Sequence, residues 1–526
     1  MGSTRLAALA AGLTFAYGSS ARAGGLFMPG IGPSAVARAG AWIATADDPT
    51  ALATNPAGLD QGWGTQVYIG STFLDYSMTF ARAGVYEMEP GENHPWTGTP
   101  YAPVTDKARP PIGFGSYQAL PAIAVSTDAG LHIKGLRFAA GVFVPTAYPE
   151  RDMQGDYVFD DPNTPPPPTR YDVVKQSAAI VMPSLGASYH VNDKLSVGAR
   201  FVWGLADIKA TTYTWGFPGN YQESTTKDSL FHLEAKDNFA PAFGLGLLYK
   251  LNDSFTVGAQ WSSELDVHAV GTGSAKTSAN LIPATVILPS ETVKCEAGGT
   301  PDSIKGCINI ALPMSAGVGG RWLMRDDAGN VKGDLEADVQ WEHWSAEPVS
   351  NYHVIVDARV ADPGTQATIF NLKESIIRHG LQDTVSVRLG GSREVVENVL
   401  VRAGVAYDTK AAKDWWERAD FDGAARFTFA GGAGYKAGKI KIDAGFGYVY
   451  EGGSRTMGTN PPCNPDSTMP SCGDQSPNPI DQRKQPDPIQ PLADPNNAAL
   501  NYQSPINSGT ITSHYLFFLL AANYQF

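Results

Sequence analysis

Strict two-residue alternation constrains this chain more than any other feature. From near residue 65 to the last residue, runs of roughly 8–14 residues alternate apolar and polar side chains, and each run ends in a turn. Ile440, Ile442, Ala444, Phe446, Tyr448 and Tyr450 share one face, against Lys439, Lys441, Asp443, Gly445, Gly447 and Glu451 on the other. Leu195, Val197, Ala199, Phe201, Trp203 and Leu205 oppose Lys194, Ser196, Gly198, Arg200 and Gly204 in the same way. Phe255, Val257, Ala259 and Trp261 oppose Gln260, Ser262 and Glu264, and Leu335, Val339 and Trp341 oppose Glu336, Asp338, Gln340 and Glu342. Successive side chains of an extended strand point to opposite faces, so every such ribbon has one greasy side and one wet side. Charged residues are only 17% of the chain, below the roughly 25% of an ordinary soluble domain, and 56 glycines accompany them. A helix-rich cytosolic enzyme does not fit. Membrane helices do not fit either, since each needs about 20 consecutive apolar residues and the mean hydropathy is −0.18. The chain reads as all-β, one large barrel or several sandwiches.

Alternation alone leaves open which face meets the core. A soluble sandwich buries the greasy face, whereas an outer-membrane barrel turns it to lipid. Three features favour the barrel. The runs approach the roughly 9–11 residues of a tilted spanning strand. Aromatics (Trp203, Trp261, Tyr407, Tyr448, Tyr450) stand toward one end of the greasy faces, as an interfacial girdle does. The wet faces carry charges of both signs beside glycine, which suits a watered or plugged lumen. Short links at 190–194, 251–254 and 395–398 alternate with long ones at 83–117, 148–174, 217–229, 272–310, 350–382, 409–424 and 452–508, the barrel habit of short turns inside and long loops outside. The runs predict about fourteen antiparallel strands, near 65–81, 118–128, 134–147, 175–191, 193–210, 229–251, 253–270, 310–326, 331–346, 382–394, 397–409, 424–437, 438–452 and 509–526. The last of them places Leu516, Phe518, Leu520, Ala522, Tyr524 and Phe526 on one face.

Residues 1–23 read as a signal peptide: Arg5, the apolar run Leu6–Tyr17, then the small-x-small Ala21-Arg22-Ala23. Four cysteines fall as two close pairs, Cys295 with Cys307 and Cys463 with Cys472, in Pro/Gly/Asn-rich loops. An exported chain meets an oxidising compartment, so loop disulfides are expected, within each pair or exchanged between the two loops. A four-cysteine metal site needs tighter spacing. The 452–508 stretch, rich in Pro, Asn and Asp, reads as the longest exposed loop. With 39 Lys+Arg against 52 Asp+Glu the chain carries −13, which disfavours nucleic acid.

Residues 24–62 do not alternate. Gly24-Gly-Leu-Phe-Met opens the mature chain, Ala37-Arg-Ala-Gly-Ala follows, then Ala46-Asp-Asp and Asn55-Pro56-Ala57-Gly58-Leu59. With the Lys194–Ala199 hairpin, the strands around 244–270 and the aromatic terminus, this series resembles the FadL/TodX family of outer-membrane transporters of hydrophobic compounds, along nearly the whole mature chain. The resemblance implies a fourteen-stranded barrel, residues 63–526, whose lumen is closed by an N-terminal hatch of short helices, with a helix pair expected over 41–59. It implies uptake of long-chain fatty acids or of aromatic or aliphatic hydrocarbons by passive diffusion, with a sideways exit into lipid. Phe27 and Met28 are then expected at the ligand path, and Asn55, Pro56 and Ala57 as the plug. The third strand, Leu136–Pro149, matches the family's kinked strand by position: Pro145 cannot donate to a ladder and Gly141 tolerates a bulge, so Gly141, Phe143 and Pro145 are the expected lateral opening. On the alternation Phe143 and Pro145 point inward, Val142 and Val144 to lipid. Inward Arg137, Arg200, Arg321, Arg388 and Arg402 facing Glu264, Glu336, Asp338 and Asp443 are expected to anchor the hatch or solvate the lumen, because buried charges must pair. A fatty carboxylate is a lesser use of one of them, and Arg137, Arg151 and Arg170 are candidate contacts.

Catalytic motifs are missing. Gly271–Thr277 lacks the Gly-Lys pair of a phosphate loop, and neither HExxH nor GxSxG occurs. No enzyme activity and no cofactor are expected. The expected partners are hydrophobic small molecules, outer-membrane lipid and lipopolysaccharide, and the barrel-assembly machinery through the strand ending in Phe526, for a monomeric protein of the outer membrane. The competing class is a general porin, or an adhesin whose barrel displays the 452–508 loop.

Overall fold

A computed structural model describes residues 28–82, 85–86, 93–110, 112–130, 133, 135–144, 150–159, 161–214, 228–277, 286–290, 295, 304–371, 374–412, 417–421, 423–457 and 509–526. Phe27, Pro145, Cys463, Cys472 and residues 1–23, read above as a signal peptide, lie outside them.

The alternating runs become fourteen wall strands: β1 (Gln66–Arg82), β2 (Tyr117–Thr127), β3 (Leu136–Phe143), β4 (Lys175–Asn192), β5 (Leu195–Thr214), β6 (Ser229–Asn252), β7 (Phe255–Ser262 continued by Leu265–Thr277), β8 (Lys305–Leu312 continued by Ser315–Arg325), β9 (Val331–Glu342), β10 (Thr384–Val396), β11 (Val399–Asp408), β12 (Arg426–Ala437), β13 (Ile440–Met457) and β14 (Gly509–Gln525). Each pairs antiparallel with the next. The ring closes where β1 pairs with β14 from Gln66↔Gln525 to Arg82↔Gly509, so no spanning edge is left with unsatisfied backbone groups. At the end holding the chain terminus the links are tight. Asn192 Oδ1 accepts from the Lys194 and Leu195 amides, Asn252 Oδ1 from that of Ser254, and Asn398 and Gly438 adopt positive φ of 65° and 59°. The opposite end, called upper here, carries the long links.

The polarity is inverted relative to a soluble protein. Leu185, Val387, Phe446 and Leu520 stand more than half exposed on the outside, while Asp334, Glu336, Asp338, Arg388, Arg402 and Asp443 are buried inside. The greasy faces of the alternation look outward to acyl chains, and the C-terminal strand follows the rule, with Leu516 and Phe526 out and Phe517 and Leu519 in.

Three details differ from the alternation. In β7 the inward phase flips after Ser262, so Leu265, Val267 and Ala269 are buried and Glu264 leaves the inward row; β8 flips in step around Pro313 and Met314. The 350–382 link is not all loop, because Asn351–Ala361 extends the wall above β8 by pairing His353 with Asn309. The expected helix pair over 41–59 is a short helix Ala51–Thr54 and a 3-10 turn Pro56–Gln61, with a further helix at Pro33–Val36. Residues 43–45 form a single turn closed by the Ala46 amide on the Trp42 carbonyl, while wall carboxylates take the amides of Trp42, Ile43 and Ala44.

Candidate functional site

The N-terminal segment fills the lower lumen, and β9 holds it with a row of acids two residues apart, as strand periodicity places them on one face. Asp338 Oδ2 accepts the amides of Trp42 (2.8 Å) and Ile43 (3.1 Å), and Glu336 Oε1 accepts that of Ala44 (2.7 Å). Arg38, 1% exposed, pairs with Asp334 at 2.7 Å and Glu336 at 3.3 Å, and Thr45 also binds both carboxylates. Ser34 donates to Asp443, which Arg402 pairs at 2.6 Å. Inward glycines provide the space: a Cβ at Gly404 would collide with the Arg38 backbone, and one at Gly246 with Asn55 Oδ1. Asn55 donates to the carbonyls of Ile43 (2.8 Å) and Leu247 (3.2 Å), while its Oδ1 accepts from Ala57. Asn55, Pro56 and Ala57 therefore lie docked on the wall of β5 and β6, below the cavity.

That cavity, of about 170 Å³, lies above the segment. Met28, Val36, Leu120, Val144, Val202 and Leu265 form its apolar lining. Arg200, Arg388, Gln260, Gln340 and Glu342 add polar groups. Both arginines are buried, and among the described residues neither has a carboxylate within ion-pair distance. Arg200 donates to Ser184 Oγ and to the Ala53 carbonyl, both at 3.1 Å, and its guanidinium lies 5.6 Å from the Phe143 ring centre. Arg388 reaches only the Gly40 carbonyl, at 3.5 Å, and its Nε has no partner. Glu342 accepts from Trp344 (2.7 Å) and Gln340 (3.1 Å).

One wall of the cavity adjoins the end of the β3 ladder. The ladder runs unbroken through Gly141, where a Cβ would meet the folded-back ring of Phe143, and the last pairs of β3 are Phe143 with Ala122 and with Met182. Among the described residues the next pairs on this side are Arg151 with Gln176 and Asp152 with Lys175. On the side facing this interval, Ser177–Val181 have no ladder partner among the described residues. Val144, expected to face lipid, lines the cavity instead, because the chain has left the ladder there and alternation no longer governs it. Across the interval Ser177 Oγ donates to Glu150 at 2.9 Å. Burial pushes the Glu150 carboxyl up to about 7. An acid with a raised folded-state pKa stabilises the fold fully below its unfolded value of 4.5, and that contribution is lost as pH rises through about 7. Amide exchange at 150–153 and 177–181, corrected for its intrinsic rate, is expected to increase between about pH 6 and about pH 8, and Glu150→Gln to abolish that increase.

The other candidate arginines have internal partners and do not line the cavity. Arg137 donates to the Gly64 carbonyl (3.0 Å), Arg151 pairs with Asp106 (3.6 Å) and Arg170 with Asp228 (3.1 Å). Upper-loop ion pairs such as Arg418–Asp172 at 2.5 Å tie the loops together. Cys295 and Cys307 form a disulfide.

Comparison with known proteins agrees with this architecture. Residues 14–462 match the family described as outer membrane protein transport protein (OMPP1/FadL/TodX). A 47 kDa outer membrane protein of Pasteurella multocida is 25% identical over 215 residues, which are 40% of this chain and 44% of that relative. Among solved structures, a FadL homologue of Pseudomonas aeruginosa superposes with a TM-score of 0.66 at 16% identity, covering 96% of this chain and all of that one. The toluene transporters TbuX of Ralstonia pickettii and TodX of P. putida follow at TM-scores of 0.58 and 0.57 and 14% identity, each covering 95% of this chain and 99% of its own; at such identities the likeness is one of fold. A closed fourteen-stranded barrel with greasy outer faces, matched by that family along most of its length, identifies this chain as a member of the OMPP1/FadL/TodX outer-membrane transport proteins.

Proposed function

We propose that the barrel takes up long-chain fatty acids, by passive diffusion through the cavity between Arg200 and Arg388 and then sideways into the bilayer. The observation that carries this reading is the pair of buried guanidiniums, neither within ion-pair distance of a carboxylate among the described residues, beside the apolar part of the cavity lining. A buried charge without a partner is costly, and an anionic head with an apolar tail supplies what each part of the lining lacks. Met28 lines the cavity from the N-terminal segment, so a ligand there meets the gate directly, and the segment docked through Asn55, Pro56 and Ala57 keeps the lumen shut to water. The interval above Phe143, with Gly141 behind its ring and Pro145 following it, is the lateral opening.

Titration of the detergent-solubilised protein with oleate and with methyl oleate, read by native mass spectrometry, tests the reading. Charge-assisted hydrogen bonds contribute about 1.5–3 kcal/mol, so the acid is expected to bind at least roughly tenfold more tightly than the ester. Equal binding of the two would mean that the cargo is neutral and the arginines are structural.

A further inference from the structure

A second interval without ladder pairing borders the cavity three strands further along the wall, between β6 and β7. The two strands pair from Asn252↔Phe255 to Gly244↔Ser262, and again from Lys236↔Val270 to Ser229↔Thr277. Between these stretches Asp237–Phe243 face Ser263–Ala269 without a ladder pair. The inward phase of β7 flips in this interval, as it does in β6, where Leu233 and Ala235 are buried below Lys236 in sequence and Ala240 and Ala242 above it. Pro241, inside the interval, has no N–H to give. Three bonds cross it: Ser263 N–H to the Phe243 carbonyl (2.8 Å), Phe243 N–H to Ser263 Oγ (2.9 Å) and His268 N–H to Asp237 Oδ2 (2.8 Å). Two of the three end on side-chain acceptors, Ser263 Oγ and Asp237 Oδ2, in place of ladder carbonyls.

Position supports a transport role. Ala242, Phe243, Ser263 and Leu265 all line the cavity, yet Phe243 is 55% exposed on the outer face. The wall between ligand space and lipid is one residue thick there. Trp203 packs edge-to-face on Phe239 at 4.6 Å and donates to the Asn238 carbonyl at 2.7 Å, the place of an aromatic at the membrane interface. Beyond it the outer faces turn charged, with Glu234 and Lys236 exposed. Arg200 is on the neighbouring strand, paired with Gly244 at the seam's foot. We propose that the β6–β7 seam is a second lateral door, through which the apolar tail of a cargo held at Arg200 enters the outer leaflet. The proposal rests on the fatty-acid reading above.

Two measurements test it. The register on both flanks of the seam, Lys236↔Val270 and Gly244↔Ser262, carried through it sets Asn238 opposite His268, and both are exposed, so an Asn238→Cys/His268→Cys pair, oxidised, is expected to staple it shut. In cells whose oleate uptake depends on this protein, the staple is expected to lower the rate by roughly half, as closing one of two parallel exits does. Reductant restores it, with the unsubstituted protein under reductant as the control for Cys295–Cys307. Separately, oleate bearing a diazirine at its tail is expected to label 237–243 and 263–269, in competition with excess oleate. An unchanged rate with a staple verified by mass, or tail label confined to 117–122 and 177–182, would overturn the second door and leave the fatty-acid reading intact. Label that excess oleate does not displace anywhere in the cavity would overturn that reading too.

Discussion

Planar bilayers holding Glu336→Leu are expected to show steady ion current where the native barrel passes little. Glu336 is fully buried and accepts from Arg38, Ala44 and Thr45 together. Leucine leaves the Ala44 amide without its acceptor and Arg38 with only half of its countercharge. Breaking a buried pair by removing one partner costs about 3–5 kcal/mol, and at about 1.4 kcal/mol per decade the docked state of the N-terminal segment falls by roughly 10²–10⁴ relative to the undocked one. The strand itself survives, because β9 keeps its ladders to β8 and β10. Gly404→Leu reaches the same end by another route, since its side chain needs the volume that the Arg38 backbone occupies. Lys332→Ala, on the same strand but paired with Glu394 at the exposed turn end, is the control that leaves the current unchanged. Heat-modifiable gel migration shows that each variant has folded. Folded Glu336→Leu and Gly404→Leu barrels as silent as the native one would refute the claim that this docking closes the lumen.

The wall was legible because its signal is local. One apolar face per strand, asparagine or glycine at each short turn and a greasy face through Phe526 are all written in consecutive residues, and the register follows from them. The acids at 336 and 338 were also legible as inward. Their partners were not: sequence spacing set them opposite wall arginines, whereas Arg38 and the amides of Trp42, Ile43 and Ala44 take them, a pairing across almost 300 positions that no local pattern encodes. The same distance hid why Gly246 and Gly404 are glycines. The phase flips of β6, β7 and β8 were missed because Ser262-Ser263-Glu264 reads as a continuation of the wet row, and only the burial on either side shows that the inward parity changes while the pairing register is kept. Among the inward arginines, Arg321 and Arg402 met acids as buried charges should. Arg200 and Arg388 were grouped with them, and the site was obscured because sequence cannot tell a paired cation from an unpaired one.

Arg200→Gln separates those two kinds of arginine by experiment. A structural arginine that loses its charge weakens the fold; one whose charge is buried without an acid does not depend on that charge for stability. The apo thermal midpoint of Arg200→Gln is therefore expected to hold or rise, since glutamine can still bond Ser184 or the Ala53 carbonyl while an uncompensated charge is removed. The shift of that midpoint on adding oleate is expected to disappear, and the oleate Kd to rise roughly 10–100-fold, the loss of one charge-assisted contact. Arg402→Gln, which strips Asp443 of its 2.6 Å partner, is expected to do the reverse, lowering the apo midpoint while leaving the oleate-induced shift in place. Arg388→Gln completes the test. If both cavity arginines hold one carboxylate, the double variant loses less than the sum of the singles, because the second substitution removes part of an interaction already broken. Strict additivity would place two anions or none between them, and an apo midpoint that falls for Arg200→Gln as it does for Arg402→Gln would make Arg200 a brace for the N-terminal segment and leave the cavity to neutral cargo.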